Sequence, residues 1–248
     1  MTTPERHPRG RRRHPARWLR DLLRTEVLRG SYPDGVLPGE ADLMLAHRAP
    51  RAVVREALDL LRREGIIERL QGTGTLVLAQ RYTARLVEVH GVTDVDRGRF
   101  SAHVLAQRVL PMPGAVAHHL DERPGTPTLM IEYVGMAAGT VAGLYTNYLR
   151  YPEADAVAAT PFRSHWYTLM SDAGLQVDET DLLIEVMLAD EPVAEVLGVP
   201  IGHPLLAMQQ VIRDETGRPY DFALLRHRGD RLSLLSQARR PTLRPRQP

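Results

Sequence analysis

The 248-residue chain has no cysteine and no lysine, and only three phenylalanines and two tryptophans. Without thiols there can be no disulfide, thiolate metal site or cysteine nucleophile, and a bacterial cytoplasm, close to the nucleoid, is the expected compartment. No apolar run approaches the ~20 residues needed to cross a bilayer, so no membrane partner is expected. The opening stretch MTTPERHPRGRRRHPARW is basic but has no apolar segment behind it, unlike a secretory signal. The missing lysines put every permanent positive charge on arginine, which we read as coding bias toward G+C-rich codons. What remains is 43% hydrophobic and 25% charged, an ordinary globular composition with enough apolar mass for a core.

Net charge is only +2, but it is unevenly spread. Residues 1–81 carry sixteen arginines against ten acids, residues 82–235 carry twelve against twenty, and the last thirteen residues carry four arginines and no acid. A basic first third followed by an acidic body implies that the first part alone meets a polyanion. Residues 1–15 and 236–248 show no apolar periodicity and are expected to be a disordered basic arm and a disordered tail. Arg9, Arg11, Arg12 and Arg13 are either phosphate contacts or a solvated run.

Leu19, Leu22, Leu23 and Val27 fall on one helical face between Ala16 and Arg29, and Gly30 ends the pattern. SYPDGVLPG (31–39) is turn chemistry. A short helix is predicted over 40–47. Pro50 suits the first turn of a third helix, since its missing N–H would be unpaired there anyway. That helix runs to Glu64 with Val54, Ala57, Leu58 and Leu61 inward. Ile66–Leu70 and Thr75–Leu78 read as two strands joined by Gln71-Gly72-Thr73-Gly74. Helix, helix, helix, hairpin is the order of a winged helix-turn-helix over 16–79. Residues 80–99 are expected to hold a linker and the start of a second domain, whose body covers 100–235. There, strands at 101–110, 128–135, 141–149, 205–214 and 219–228 alternate with helices at 115–120, 166–174 and 193–197. The expected fold class is α+β with an antiparallel sheet.

With its apolar stripe buried, the third helix turns Arg51, Ala52 and Arg55 to solvent. Arg51 and Arg55 are one turn apart and share a face. Such a pair suits the O6 and N7 acceptors of guanine, and the helix N-terminus favours a phosphate. Ala52 and Val53 are small enough to let the backbone close on the groove and to touch a thymine methyl. In the hairpin tip, Gly72 and Gly74 allow close approach, and Arg69, Gln71 and Thr73 reach phosphates or minor-groove edges.

LPGE (37–40), APRAVVREALDLLRREGII (49–67) and RLQGTGTLV (69–77) resemble the DNA-binding domain of GntR-type regulators. The resemblance places Arg51 and Arg55 at that family's principal base- and phosphate-contacting positions. Two departures stand out. Gly39 replaces the usual Ser or Ala of the LPxE motif. Pro50 replaces the Ser or Thr that normally caps the recognition helix, so one phosphate contact is lost. Farther on, LMIEYVGMAAGTVAGLYTNYL (129–149), HWYTLMSDAGL (165–175) and AEVLGVPIGHPLLAMQQVIRDETGRPYDFALLRHRGDR (194–231) resemble the UTRA effector domain of the HutC-type branch, which has a chorismate-lyase-like fold.

By that resemblance the effector site comprises Tyr133, Tyr145, Asn147, His165, Tyr167 and Asp221. Members that bind sugar phosphates have arginines at the positions of Tyr133 and Gly135. A buried dianion needs paired cationic donors, so a phosphosugar is not expected; the lining suits a mostly apolar or neutral ligand. The resemblance implies a homodimeric repressor that reads a pseudo-palindromic double-stranded operator and is released by a small-molecule effector, with no cofactor. Two alternatives stay open: an enzyme on the lyase-like fold, and a regulator whose second domain only dimerises. No nucleophile or general-base constellation is evident. His118 and His119, adjacent on a helix, point about 100° apart and make a poor metal pair. Asp178, Glu179 and Asp181 read as a solvated acidic turn.

Overall fold

The computed structural model describes residues 14–70, 72, 74–78, 82–91, 100–137 and 139–238. The expected basic arm up to Arg13, the hairpin residues Gln71 and Thr73, linker residues 92–99 and the tail from 239 lie outside the described residues. The chain divides into two compact units, Met1–Arg81 and Tyr82–Pro248.

The first unit is α1 (Pro15–Leu28), β1 (Val36–Leu37), α2 (Glu40–His47), α3 (Arg51–Arg63), β2 (Ile67–Leu70) and β3 (Gly74–Val77). Leu19, Leu23 and Val27 of α1 meet Leu43 of α2, Val54, Ala57 and Leu61 of α3, and Ile66 and Ile67 in one core. Each fully buried leucine contributes about 2 kcal/mol relative to exposure. Gly30 and Gly65 end α1 and α3 with φ of +72° and +67°, which only glycine adopts without cost. Where the sequence suggested only turn, Val36 and Leu37 form a short strand beside β3, giving an antiparallel sheet of order β1-β3-β2. Two residues are too few to show alternation.

The second unit begins with β4 (Tyr82–Arg85) and α4 (Leu86–Val89). β4 pairs in parallel with β11 (Leu232–Leu235). Four residues carry no readable period, and this pairing is long-range. The main sheet contains β5 (Phe100–Pro111), β6 (Pro127–Ala137), β7 (Thr140–Leu149), β8 (Glu179–Leu188), β9 (Pro204–Arg213) and β10 (Pro219–Arg228). Its antiparallel order is β5-β6-β7-β10-β9-β8. The acidic run is therefore no turn: Glu179 and Asp181 begin edge strand β8.

The helices are α5 (Gly114–His119), α6 (Glu153–Ala158), α7 (Trp166–Asp172) and α8 (Glu191–Leu197). Residues of α6 and α7 pack with Leu129, Ile131, Tyr133, Tyr145 and Leu149. Residues of α5 pack with Phe222 and Val211, and those of α8 with Val134, Leu144 and Leu205. Side chains alternate between the faces of a strand, so these clusters lie on opposite faces of the sheet. His119 stacks on Phe222 (centroids 4.3 Å) and packs as an aromatic.

Candidate nucleic-acid interface and effector site

In the first unit the residues expected to meet DNA stand at the start of α3 and in the hairpin. Arg51, Ala52 and Arg55 are exposed, as are Arg69, Gly72 and Gly74, while Val53 is half-buried against the core. Pro50 is the N-cap of α3 and supplies no side-chain hydrogen bond, so the first N–H groups of the helix are open to an external acceptor. Arg55 is not free in space: its Nε donates to Glu40 Oε2 at 3.0 Å. Arg69 Nη1 lies 3.6 Å from Glu40 Oε1. The arginines remain 61% and 69% exposed. Glu40, at the first position of α2, thus steers two arginines from different elements without burying either. Glu40 is the last residue of LPGE (37–40), but nothing in the local sequence marks it as the partner of arginines 15 and 29 residues away.

In the second unit, register brings the effector candidates onto one face. Tyr133 is opposite Tyr145, Ile131 opposite Asn147, and Asn147 opposite Ala223. Asp221 and Ala223 share a face by strand alternation. Asp221 is completely buried. Asn147 Nδ2 donates to both its oxygens (3.1 and 3.0 Å), and Trp166 Nε1 donates to Oδ2 at 3.2 Å. Burial pushes the Asp221 carboxyl up to about 7, against the opposing pull of those two donors. Tyr133 stacks on Tyr145 at 4.9 Å and on Trp166 at 5.8 Å, with Phe162 edge-on at 4.6 Å. Tyr145 lies over two glycines: a Cβ at Gly135 would fall 2.7 Å from its Cε2, and one at Gly143 2.8 Å from its hydroxyl oxygen. A side chain at position 135 is thus excluded while Tyr145 stays in place.

His165 caps α7, its Nδ1 accepting from the Tyr167 amide at 3.4 Å. Tyr167 donates its hydroxyl proton to the Val89 carbonyl and accepts from Gln210 Nε2 at 2.7 Å. Tyr145 Oη is 3.2 Å from His227 Nδ1. Burial lowers His165 and His227 to about 4, with His165 adding to the effect on His227, so both imidazoles are neutral at pH 7. The structure therefore brings Tyr133, Tyr145, Asn147 and Asp221 together and ties Tyr167 to α4. It adds Phe162, Trp166, Gln210 and His227, which are not among the residues expected from the sequence. Trp166 had a signal, since it sits inside the quoted HWY triplet. His227 follows from Asp221 by counting in twos along β10.

A cleft of about 420 Å³ lies elsewhere, lined by Met112, Glu122, Thr126, Pro127, Arg150 and Tyr151. Arg150 is already engaged by Glu122 at 2.6 Å and by the Leu120 and Pro219 carbonyls, leaving little of its charge for a ligand. Among the described residues no helix is long and apolar enough to cross a membrane, and no cluster of three metal-ligating side chains occurs.

Comparison with known proteins agrees with both units. The sequence model of the bacterial regulatory proteins of the gntR family matches residues 15–77, and that of the UTRA domain matches residues 96–233, more than half of the chain. The probable fructoselysine utilization operon transcriptional repressor of Escherichia coli K12 is 24% identical over 87% of this chain and 91% of its own length. The histidine utilization repressor of Pseudomonas aeruginosa is 25% identical over 86% of each. The crystal structure of PhnF from Mycobacterium smegmatis superposes with a TM-score of 0.61 at 21% identity, covering 89% of this chain and 99% of that one. YydK from Bacillus subtilis gives 0.53 at 18% identity, covering 91% of this chain and 99% of its own. These similarities are to transcriptional regulators and do not favour the enzyme alternative. The chain belongs to the gntR family of bacterial regulatory proteins, a DNA-binding transcriptional regulator with a UTRA domain as its second unit.

Proposed function

We propose that the protein is a homodimeric repressor whose operator affinity is lowered by a small, phosphate-free effector held by the second unit. The observation that carries the DNA-reading part is the exposed Arg51/Arg55 pair at the N-terminal turns of α3. Arg51 and Arg55 read guanine edges or adjacent phosphates. Ala52 faces the groove floor, while Val53 is half-buried against the core and offers at most its outer edge to a thymine methyl. Arg69, Gln71, Gly72, Thr73 and Gly74 follow the backbone or minor groove. A two-fold dimer would place two such helices on half-sites about 10 bp apart, or a multiple of that.

The effector reading rests on Tyr133, Tyr145, Asn147, His165, Tyr167 and Asp221. Absence of a phosphate is supported by the lack of any arginine among these residues and by the Tyr145 ring over Gly135, where phosphosugar-binding members carry one. Repression is supported by the two relatives named as repressors. Electrophoretic mobility shifts on an inverted repeat from the gene's own flanking DNA test the whole reading. Arg51→Ala is expected to lose about 1–3 kcal/mol at one base position. Wild-type operator affinity in that variant would remove α3 from the role assigned to it.

A further inference from the structure

The chemistry around Asp221 specifies the effector's charge, given that these residues form the effector site. Its carboxylate is fully buried. Its partners, Asn147 Nδ2 and Trp166 Nε1, are neutral donors. Among the described residues no arginine or histidine nitrogen lies within 4.0 Å of it. A carboxylate has about four lone-pair positions, and the three contacts leave one unused, on Oδ1. Two neutral donors only partly offset the cost of burying an ion without its counterion.

The remaining lining reinforces the sign. The rings of Tyr133, Tyr145, Trp166 and Phe162 surround the site with aromatic surface. His165 and His227 add no positive charge, since burial keeps both imidazoles neutral. His227 Nε2 is sealed from solvent and has no hydrogen-bond partner. Among the described residues, then, the site holds one carboxylate and one unpartnered imidazole nitrogen, and no arginine pairs with that carboxylate. A carboxylate ligand would meet repulsion from the ionised group, a neutral one would leave only a proton to offset it, and a cation would complete it.

The geometry points to a small organic cation as the effector: a protonated amine on a compact apolar stem, its N–H groups on Asp221 and its body among Tyr133, Trp166 and Phe162. Aromatic surface favours such a ligand further, because ring faces attract ammonium groups.

Three near-isosteric probes separate charge from shape: 2-phenylethylamine, 2-phenylethanol and phenylacetate, each added to the full-length protein and followed by thermal shift and calorimetry. The amine alone is expected to raise Tm. Asp221→Asn is expected to weaken its binding roughly tenfold or more. A cooperative urea-unfolding transition of that variant, followed by tryptophan fluorescence, checks that its second unit folds. The swap of Asn147→Asp with Asp221→Asn keeps a carboxylate beside an amide and is expected to restore amine binding in part. Equal binding of the alcohol or phenylacetate, or no response to any probe, overturns the cation class. If the alcohol binds and Asp221→Asn or Tyr133→Ala abolishes this, the effector site stands and only the charge assignment fails. If the amine binds equally to wild type, Asp221→Asn and Tyr133→Ala, both the cation proposal and the site reading fall.

Discussion

The Tyr167 hydroxyl donates to the Val89 carbonyl, and Gly91, two residues on, leaves the space that the tyrosine ring fills. A Cβ at Gly91 would fall 2.3 Å from Tyr167 Cε1, and Gly91 has a φ of +73°. Gln210 Nε2 also donates to the Val89 carbonyl, at 3.1 Å. A residue of the proposed effector site is therefore tied to the segment that in sequence directly follows the DNA-reading unit. Any ligand that moves Tyr167 must break or remake these bonds.

Gly91→Ala is expected to destabilise the second unit by about 2–4 kcal/mol, combining overpacking with a left-handed alanine. Tyr167→Phe keeps the ring and loses only the hydroxyl, leaving Val89 with Gln210 as partner, and should cost about 1–2 kcal/mol. Urea unfolding of full-length variants measures both. An unfolding midpoint for Gly91→Ala equal to wild type would show that the ring does not occupy that space.

Asp221 gives a pH signature with a definite sign. Its folded-state carboxyl is raised to about 7 from an ordinary 3.8, so between these values the native state holds a proton that the unfolded chain has released. Native binding of the extra proton makes stability fall as pH rises through this window, by on the order of a few kcal/mol. The penalty is absent below the ordinary carboxylate range and complete above 7. Tyr133, Tyr167 and Tyr220, which feel its charge, are themselves raised by burial and stay neutral throughout. His165 and His227 titrate in wild type and Asp221→Asn alike, so the difference between the two isolates Asp221. That difference should move in favour of the Asp221→Asn variant between acid and mildly alkaline pH; a flat difference would place Asp221 in contact with solvent or a cation.

Most of the first unit was legible because local rules agree there. The 3.6-residue stripe of Val54, Ala57 and Leu61, the stops at Gly30 and Gly65, and the turn glycines all point to one arrangement. The β9–β10 hairpin was legible too, because Asp214 Oδ1 accepts from the Thr216 and Arg218 amides in a local turn. Strand β8 was not. It is a sheet edge with Leu183, Val186 and Leu188 exposed, so apolar residues occur on both faces and no alternation survives. Within the proposed effector site, Tyr133 and Asp221 are reached through the family resemblance alone. The Val89, Gly91 and Gln210 contacts to Tyr167 join distant parts of the chain and leave no local mark.

Arg48 closes α2 in the left-handed region, at φ 49° and ψ 41°. That conformation costs a side-chain-bearing residue about 1–2 kcal/mol, and glycine avoids it at some loss of chain entropy. Arg48 is exposed, so little packing is lost on replacement. Arg48→Gly should therefore stabilise the first unit by roughly 0.5–1 kcal/mol, seen as a higher Tm. A lower Tm would mean that the arginine side chain holds the turn.

Glu40 is the acid that tests whether arginine placement or total charge governs operator recognition. It holds Arg55 at 3.0 Å and Arg69 at 3.6 Å, both in exposed pairs that contribute little to stability. Glu40→Gln removes one negative charge facing the phosphates, which by itself strengthens binding to any duplex and steepens its salt dependence. It also weakens the restraint on two arginines, whose rotamers must then be ordered on binding at about 0.5–1.5 kcal/mol each. The two effects oppose each other for the operator but not for random DNA. Non-specific affinity should rise while the ratio of specific to non-specific affinity falls by roughly 3- to 10-fold, in competition titrations at fixed salt. Equal gains on both duplexes would reduce Glu40 to a surface charge and leave the arginines to find the groove unaided.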